Sequence, residues 1–248
     1  MAPLNFLNLK PADPDKAIYR IVPCERFLQM LREQQNGLVL PKLWDDPFEN
    51  FILNGTAVAS DGTKARFGFQ HSIYGQCWSL HIETDAMWRI YSPDKCGVKL
   101  KTTIRNLFDS LYQRAGRFRD VSCFIGKVSY LPKHGIADAI RNAHVLDPSG
   151  AGAVETLLVK RKAFAPEREV RLIYFKPRTR PRTGTVRVRA NRRVFKYPVD
   201  VNVLVNEAVL DPRLDDHDVA SWKSRFKAAG FRNRIIQSGL YKPPKTSL

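Results

Sequence analysis

The strongest constraint on this chain is its alternation of short runs rich in β-branched and aromatic residues with segments of helical period, in no repeating order. Runs at 17–22, 38–40, 74–80, 97–100, 121–130, 170–175, 201–205 and 235–240 read as strands. Between them, residues 23–36 place Phe27, Leu28 and Leu31 on one side, which predicts a helix closed by Gly37. Thr84 caps a short helix carrying Met87, Trp88 and Tyr91. Thr102 or Thr103 caps another, in which Ile104, Leu107, Phe108 and Leu111 recur at i, i+3, i+4 and i+7 until Gly116 ends it. Helices are also expected at 135–142, at 153–163 and through Val219, Trp222 and Phe226 to Gly230. The expected fold is α+β: a single domain of mixed and antiparallel sheets with flanking helices over residues 17–248, after a surface lead-in at 1–16.

Of the 248 residues, 44% are hydrophobic, enough for one sizeable core or two small ones and too many for a disordered chain. Cys24, Cys77, Cys96 and Cys123 stand singly, which excludes a zinc knuckle or a CxxC redox motif and fits buried reduced thiols. No stretch approaches the roughly 18 apolar residues of a membrane span, and nothing near Met1 joins a basic flank to an apolar run. A cytoplasmic protein without a membrane partner is the expectation.

Charge narrows the partner. Lys and Arg number 41 against 24 Asp and Glu, a net charge of +17 that points to a polyanion. The excess is concentrated between Lys160 and Lys196, where fourteen basic residues face two acids, Glu167 and Glu169. Within that window an arginine-rich arm at about 176–196 carries Arg178, Arg180, Arg182, Arg187, Arg189, Arg192 and Arg193. Thr183-Gly184 supplies a turn there, and Val186 and Val188 alternate with arginines as in a strand with one cationic face. Guanidinium groups match phosphates bidentately, so a nucleic acid or nucleoprotein is the expected ligand, gripped by its backbone. No zinc-finger, RNP or Walker pattern supports base readout.

Several short motifs occur in order: Ala17-Ile18-Tyr19-Arg20; Trp44-Asp45-Asp46-Pro47-Phe48-Glu49; Gln76-Cys77-Trp78-Ser79; Met87-Trp88-Arg89-Ile90-Tyr91; and Glu167-Arg168-Glu169-Val170-Arg171 after Lys160-Arg161-Lys162-Ala163-Phe164. Over about 17–241 this set resembles the bacterial domain-of-unknown-function family 2971, a name that brings no activity with it. Asp45 stands where such proteins often have Asn, and the arginine-rich insert is a second departure. Arg20, Ser79 and the Glu167-x-Glu169 turn also resemble the arginine, serine, glutamate series of ADP-ribosyltransferases.

That second resemblance implies an ADP-ribosyltransferase-like core, NAD as cofactor and a role for each matching residue; a bacterial or phage-related protein is expected, with defence factor, toxin and housekeeping enzyme all left open. Arg20 would bind the NAD diphosphate and Ser79 would brace the glutamate. Glu169 would stabilise the positive charge that builds on the ribose as nicotinamide leaves, and Glu167 would orient or deprotonate the acceptor. Trp78, Trp88 and Tyr91 would offer flat faces to the nicotinamide ring.

Other readings of the same residues stand beside it. Glu167 and Glu169 among arginines suit a surface ion-pair ladder, and the tryptophans suit a core. A non-catalytic nucleic-acid-binding module needs only the basic window. A metal-dependent nuclease would use Asp45, Asp46 or Glu49 with Glu169. Asp215-Asp216-His217-Asp218 opens a helix and reads as capping rather than as a metal site. His71, His81, His134 and His144 show no paired spacing, and no GxSxG elbow is present.

Overall fold

A computed structural model of the chain describes residues 5–44, 46, 56–58, 64–66, 72–142, 149–176 and 193–242. Its first half runs β1 (Phe6–Leu7), β2 (Ala17–Pro23), α1 (Cys24–Glu33), β3 (Gln35–Val39), β4 (Thr56–Val58), β5 (Lys64–Arg66), β6 (Ile73–Ser79), α2 (Asp85–Tyr91), β7 (Gly97–Thr103) and α3 (Ile104–Tyr112). The second half runs α4 (Arg119–Ser122), β8 (Cys123–Lys127), β9 (Ser129–Leu131), α5 (Lys133–Asn142), α6 (Ala151–Thr156), β10 (Val159–Arg161), β11 (Glu169–Phe175), β12 (Val194–Pro198), α7 (Val201–Leu204), β13 (Glu207–Leu210), α8 (Asp216–Ala228) and β14 (Arg234–Gln237).

Ten of these strands form one mixed sheet in the order β1-β8-β11-β6-β2-β7-β13-β14, with β3 and β12 branching from β6. The β1–β8 and β13–β14 pairs are parallel and the other pairings in this sheet are antiparallel. Helices α1, α3 and α8 close one face, because their apolar stripes, Phe27, Leu28 and Leu31, then Ile104, Leu107, Phe108 and Leu111, then Val219, Trp222 and Phe226, are all buried in the largest core cluster. This is the α+β architecture of mixed sheet and flanking helices that the strand and helix runs imply.

The feature that matters for function is a fork beside β6. One edge of β6 pairs with β11 along its whole length, from Ile73↔Phe175 to Ser79↔Glu169. Its other edge is shared by two strands that each touch it once: β2 through Tyr19↔Ser79 and β3 through Val39↔Gly75. Between these points residues 76–78 have no strand neighbour on that side among the described residues. Side chains bridge the gap instead, as the Gln76 amide donates to Asn36 Oδ1 (2.9 Å) and to the Gly37 carbonyl (3.0 Å), and the Trp78 indole N–H donates to Gln76 Oε1 (2.8 Å).

Several expectations are corrected. The lead-in at 1–16 is not merely surface: β1 joins the sheet edge, the Asn5 amide donates to the Asp120 and Cys123 carbonyls, and buried Asp13 pairs with Lys16 and Lys127. Helix α1 ends on Gln34, not Gly37. Gln34 takes the left-handed conformation (φ 48°) and its amide donates to the Leu31 carbonyl, while Gly37 lies inside β3. Helix α3 stops at Tyr112, ahead of Gly116. The 121–130 run opens as helix and splits into β8 and β9, because after the Val128 N–H meets the Glu169 carbonyl of β11 the Ser129 N–H turns to the Leu158 carbonyl and β9 pairs with β10. The 153–163 helix stops at Thr156, and β10 pairs with β9 beyond it. The 201–205 run is helical because Asp200 accepts from the Asn202 and Val203 N–H groups, which overrides the β preference of its valines.

The arm at 176–196 is partly strand, since β12 pairs with β3 and brings Lys196 opposite Gly37. Arg178, Arg180, Arg182, Arg187, Arg189 and Arg192, with the turn and alternation proposed between them, lie outside the described residues, as do Asp45, Glu49, His71 and His144. Arg193 is described and exposed, and its carbonyl accepts from the Leu40 N–H. Among the described residues, no helix is long and apolar enough to cross a membrane.

Candidate functional site

The fork opens into a cleft of about 480 Å³, within the usual range for a small-molecule site. Arg20, Trp78, Ser79, Tyr91, Glu167 and Glu169, dispersed along the sequence, all line it. Trp88 does not. It is fully buried against Ile21 and Met87 with its indole N–H on Glu83, so it offers no face to a ligand. Trp78 is only 3% exposed and belongs to the core on the helix-covered side. Tyr91 is 41% exposed and is the accessible aromatic of the three.

The acids sit where β11 begins. A tight turn, with Arg168 in the left-handed region (φ 44°), reverses the chain so that Glu167 and Glu169 lie on either side of it. Lys160 reaches from β10 to both, 2.7 Å from Glu167 Oε2 and 2.6 Å from Glu169 Oε1, with its ammonium 4.5 Å from the Phe164 ring centre. Arg171 holds the other oxygen of Glu169 at 2.7 Å and also donates to the Leu157 carbonyl. Its guanidinium lies 4.4 Å from the Trp44 ring centre, and Trp44 reaches that position because residue 75 is glycine: a Cβ there would stand 2.6 Å from the indole.

These contacts drive the two carboxyls apart. Burial pushes Glu169 up, but the Arg171 charge and hydrogen bonds from Glu167, Arg171 and Lys160 outweigh it, and the group is held below the usual carboxylate range. Burial raises Glu167 to about 7, reinforced by the hydrogen bond it gives Glu169, with Lys160 opposing. One acid therefore stays an anion in a half-dry cleft, and its neighbour holds a proton near neutral pH. Pairs with separated proton affinities are characteristic of acid–base sites.

Ser79 stands directly across the ladder from Glu169. Its hydroxyl donates to the Glu167 backbone carbonyl (2.7 Å) and accepts from the His81 N–H (3.0 Å). It thus braces the turn that carries both acids rather than the Glu169 carboxylate. The Glu169 N–H in turn donates to the Tyr130 hydroxyl at 2.7 Å.

Arg20 lies in the fork itself. Strand alternation turns it away from Tyr19 and Ser79, yet the gap beside β6 lets it line both the cleft and a smaller hollow on the helix-covered side. Among the described residues it makes no hydrogen bond or ion pair. Burial lowers its guanidinium to about 10, with Cys77, Tyr197 and Tyr91 opposing and Arg26 adding to the fall, so it remains a cation at neutral pH. A half-buried cation without an ion-pair partner on the wall of a cavity is chemically able to pair with an oxyanion.

Sequence reasoning missed Lys160 and Tyr130, and the ion pair it offered between Glu169 and Arg171 is buried rather than on the surface. Lys160, Arg161, Arg171 and Lys196 were counted into the basic window, but each pairs internally, with Glu167 and Glu169, Asp46, Glu169 and Glu33 respectively. The cationic patch is correspondingly smaller than the linear count. Asp46, named for a nuclease centre, is buried and paired with Arg161, and Glu169 is paired twice, so neither is a free metal ligand. The one cluster with metal-ligand spacing among the described residues is Asp215, His217 and Asp218, exposed at the start of α8, where Asp215 caps the Asp218 N–H.

No protein-family model matches the chain, that of domain-of-unknown-function family 2971 included, and no curated protein matches it. Among solved structures it is similar to Thermus sp. 2.9 DarT in complex with carba-NAD+, at 12% identity and a TM-score of 0.39, covering 92% of this chain and 97% of that one. It is likewise similar to the same protein in complex with NAD+ (TM-score 0.40, 12% identity, 93% and 98% covered) and with ADP-ribosylated ssDNA (0.40, 12%, 94% and 98%). A likeness this distant assigns no ligand to this chain.

Proposed function

We propose that the cleft binds NAD and transfers its ADP-ribose group to a nucleic acid. The observation that carries the reading is the convergence on one ligand-sized cavity of an uncompensated guanidinium, Arg20, and a carboxyl pair of split proton affinity, Glu167 and Glu169. The residues fit a dinucleotide: Arg20 answers its diphosphate, the acids answer a ribose, and Tyr91, Ile90 and Phe164 give a partly apolar wall for a flat ring.

Bound there, NAD would supply a glycosidic bond whose electron pair leaves with nicotinamide and whose sugar carbon becomes positive. Glu169 is suited to stand against that charge, because Lys160 and Arg171 keep it ionised and fixed in orientation despite burial. Glu167, poised near neutrality, takes the proton that the acceptor loses as its nucleophilic atom bonds to the sugar carbon. Ser79 fixes the turn on which both act. The net positive charge of the chain suits a polyanionic acceptor. A purely binding role leaves the split carboxyl pair without a task.

The test offers purified protein NAD labelled in its adenylate half together with single-stranded oligonucleotides. Label is expected on the nucleic acid, with one nicotinamide freed per transfer, and the Glu169→Gln protein is expected to show neither. Folded protein that frees no nicotinamide with any nucleic acid overturns the reading.

A further inference from the structure

The smaller hollow lies across the fork from the cleft, has a volume of about 140 Å³, and shares Arg20, Gln76 and Trp78 with it. At that size it is below the range of sites that enclose a whole small molecule, and suits a single charged group. Among the described residues its wall carries three cations, Arg20, Arg26 and Lys196, and one acid, Glu33, which is already paired with Lys196 at 2.6 Å.

Arg26 is exposed on α1, and among the described residues its side chain donates to a neutral group, the Gln29 side-chain oxygen at 2.6 Å. Among the described residues neither Arg26 nor Arg20 forms an ion pair, although the Arg26 charge helps hold Glu33 ionised, and the two guanidinium groups repel each other. Two guanidiniums without an ion-pair partner on one hollow, over a hydrogen-bonded floor of Asn36 and Gln76, form a site that an oxyanion relieves.

We propose that this hollow is a second anion subsite, which takes a backbone phosphate of the acceptor nucleic acid through Arg26 and Lys196, with Arg20 at the neck between it and the cleft. The inference rests on the reading that a nucleic acid is the acceptor. The charge balance favours a polyanion, since Arg20 alone can answer a diphosphate in the cleft and leaves Arg26 for a second ligand. The hollow lies beside β12 and adjoins the cleft at Arg20, Val39, Gln76 and Trp78, so a nucleic acid held here lies next to the fork.

The experiment measures binding of a fluorescent single-stranded oligonucleotide by anisotropy across a salt series, without NAD, on full-length wild-type, Arg26→Gln and Glu33→Gln proteins. It reads strand binding independently of transfer, so failure of this inference and failure of the transferase reading are separable. Both positions are exposed on α1, where substitution leaves folding intact. Arg26→Gln is expected to weaken binding about tenfold at low salt and to reduce the slope of log affinity against log salt by about 1. Glu33→Gln, which frees Lys196, is expected to tighten binding about threefold. NAD affinity, measured in parallel by calorimetry, is expected to move less than twofold in either variant. An Arg26→Gln protein with unchanged slope and affinity overturns the proposal. So does one in which NAD affinity falls while the oligonucleotide curve stays in place, since the phosphate would then belong to the dinucleotide.

Discussion

Two buried arginine–carboxylate networks in this molecule are made of similar parts and do different things. Around Asp211, at the end of β13, Arg213 donates Nε and Nη2 to the two carboxylate oxygens at 2.8 and 2.6 Å, and Ser92 adds a hydroxyl at 2.6 Å. Arg213 also donates to the Trp88 and Ser92 carbonyls, and this ties the end of α2 to the sheet. The packing there is closed: a Cβ on Gly97 would meet Ser92 Oγ at 2.6 Å. Around Glu169 the same ingredients include a second acid, and they face a cavity. Burial with pairing is therefore common to structural and chemical sites. A competing acid on open space is what separates the second from the first.

Substitution of the two acids gives the largest contrast. Glu169→Gln is expected to reduce ADP-ribose transfer about 10³-fold, the order that general acid–base and electrostatic groups contribute. Asp211→Asn is expected to leave turnover per folded molecule within twofold of wild type and to cost about 3 kcal/mol of stability, since it strands Arg213 in a buried site. Transfer rates and urea midpoints measured on both proteins decide the matter. Equal loss of turnover in the two would erase the distinction.

The reason the sequence exposed one half of this contrast and not the other is physical. Arg20, Ser79, Glu167 and Glu169 were legible as a set because their order resembles the arginine, serine, glutamate series, whereas their closeness in space was not. Lys160 and Arg171 carry no such mark, because a linear count of charge cannot tell a cation that meets an internal carboxylate from one that faces solvent. Trp88 and Tyr91 share a helix three residues apart, and only packing shows that the first is covered and the second open. Residues 201–205 have strand composition, yet a single Asp200 side chain on two N–H groups turns them into helix. Gly37 matched a cap pattern that Gln34 fulfils with its own amide.

The response to pH is the next contrast in size. Glu167 must lose its proton to act as base, so transfer is expected to rise about tenfold per pH unit up to about 7 and to level above it, and Glu167→Gln is expected to abolish that rise. Stability should move oppositely for the lowered and the raised carboxyls. Asp211 and Glu169 are held below their unfolded value of roughly 4, so their contribution is present above that value and fades as acid protonates them. The raised Glu167 contributes fully below roughly 4 and loses its contribution as pH climbs through about 7. Urea midpoints between pH 5 and 8 should therefore fall with pH in wild type, and the Glu167→Gln protein should lose that trend.

The smallest effect belongs to the brace. Ser79→Ala removes a hydroxyl that joins the Glu167 carbonyl to the His81 N–H, and is expected to cost about 1 kcal/mol, a thermal midpoint shift of about 2–4 °C. Transfer should fall several-fold with it, because the turn carrying both acids loosens. A midpoint shift with no change in transfer would show that Ser79 serves the fold alone.

The most direct measurement is an experimental structure of the protein with a non-hydrolysable NAD analogue. The account expects the diphosphate within hydrogen-bond distance of the Arg20 guanidinium, the nicotinamide ring beside Tyr91, and the adjoining ribose facing Glu169. A dinucleotide bound away from the fork, or one whose nicotinamide ribose faces away from both glutamates, would contradict it.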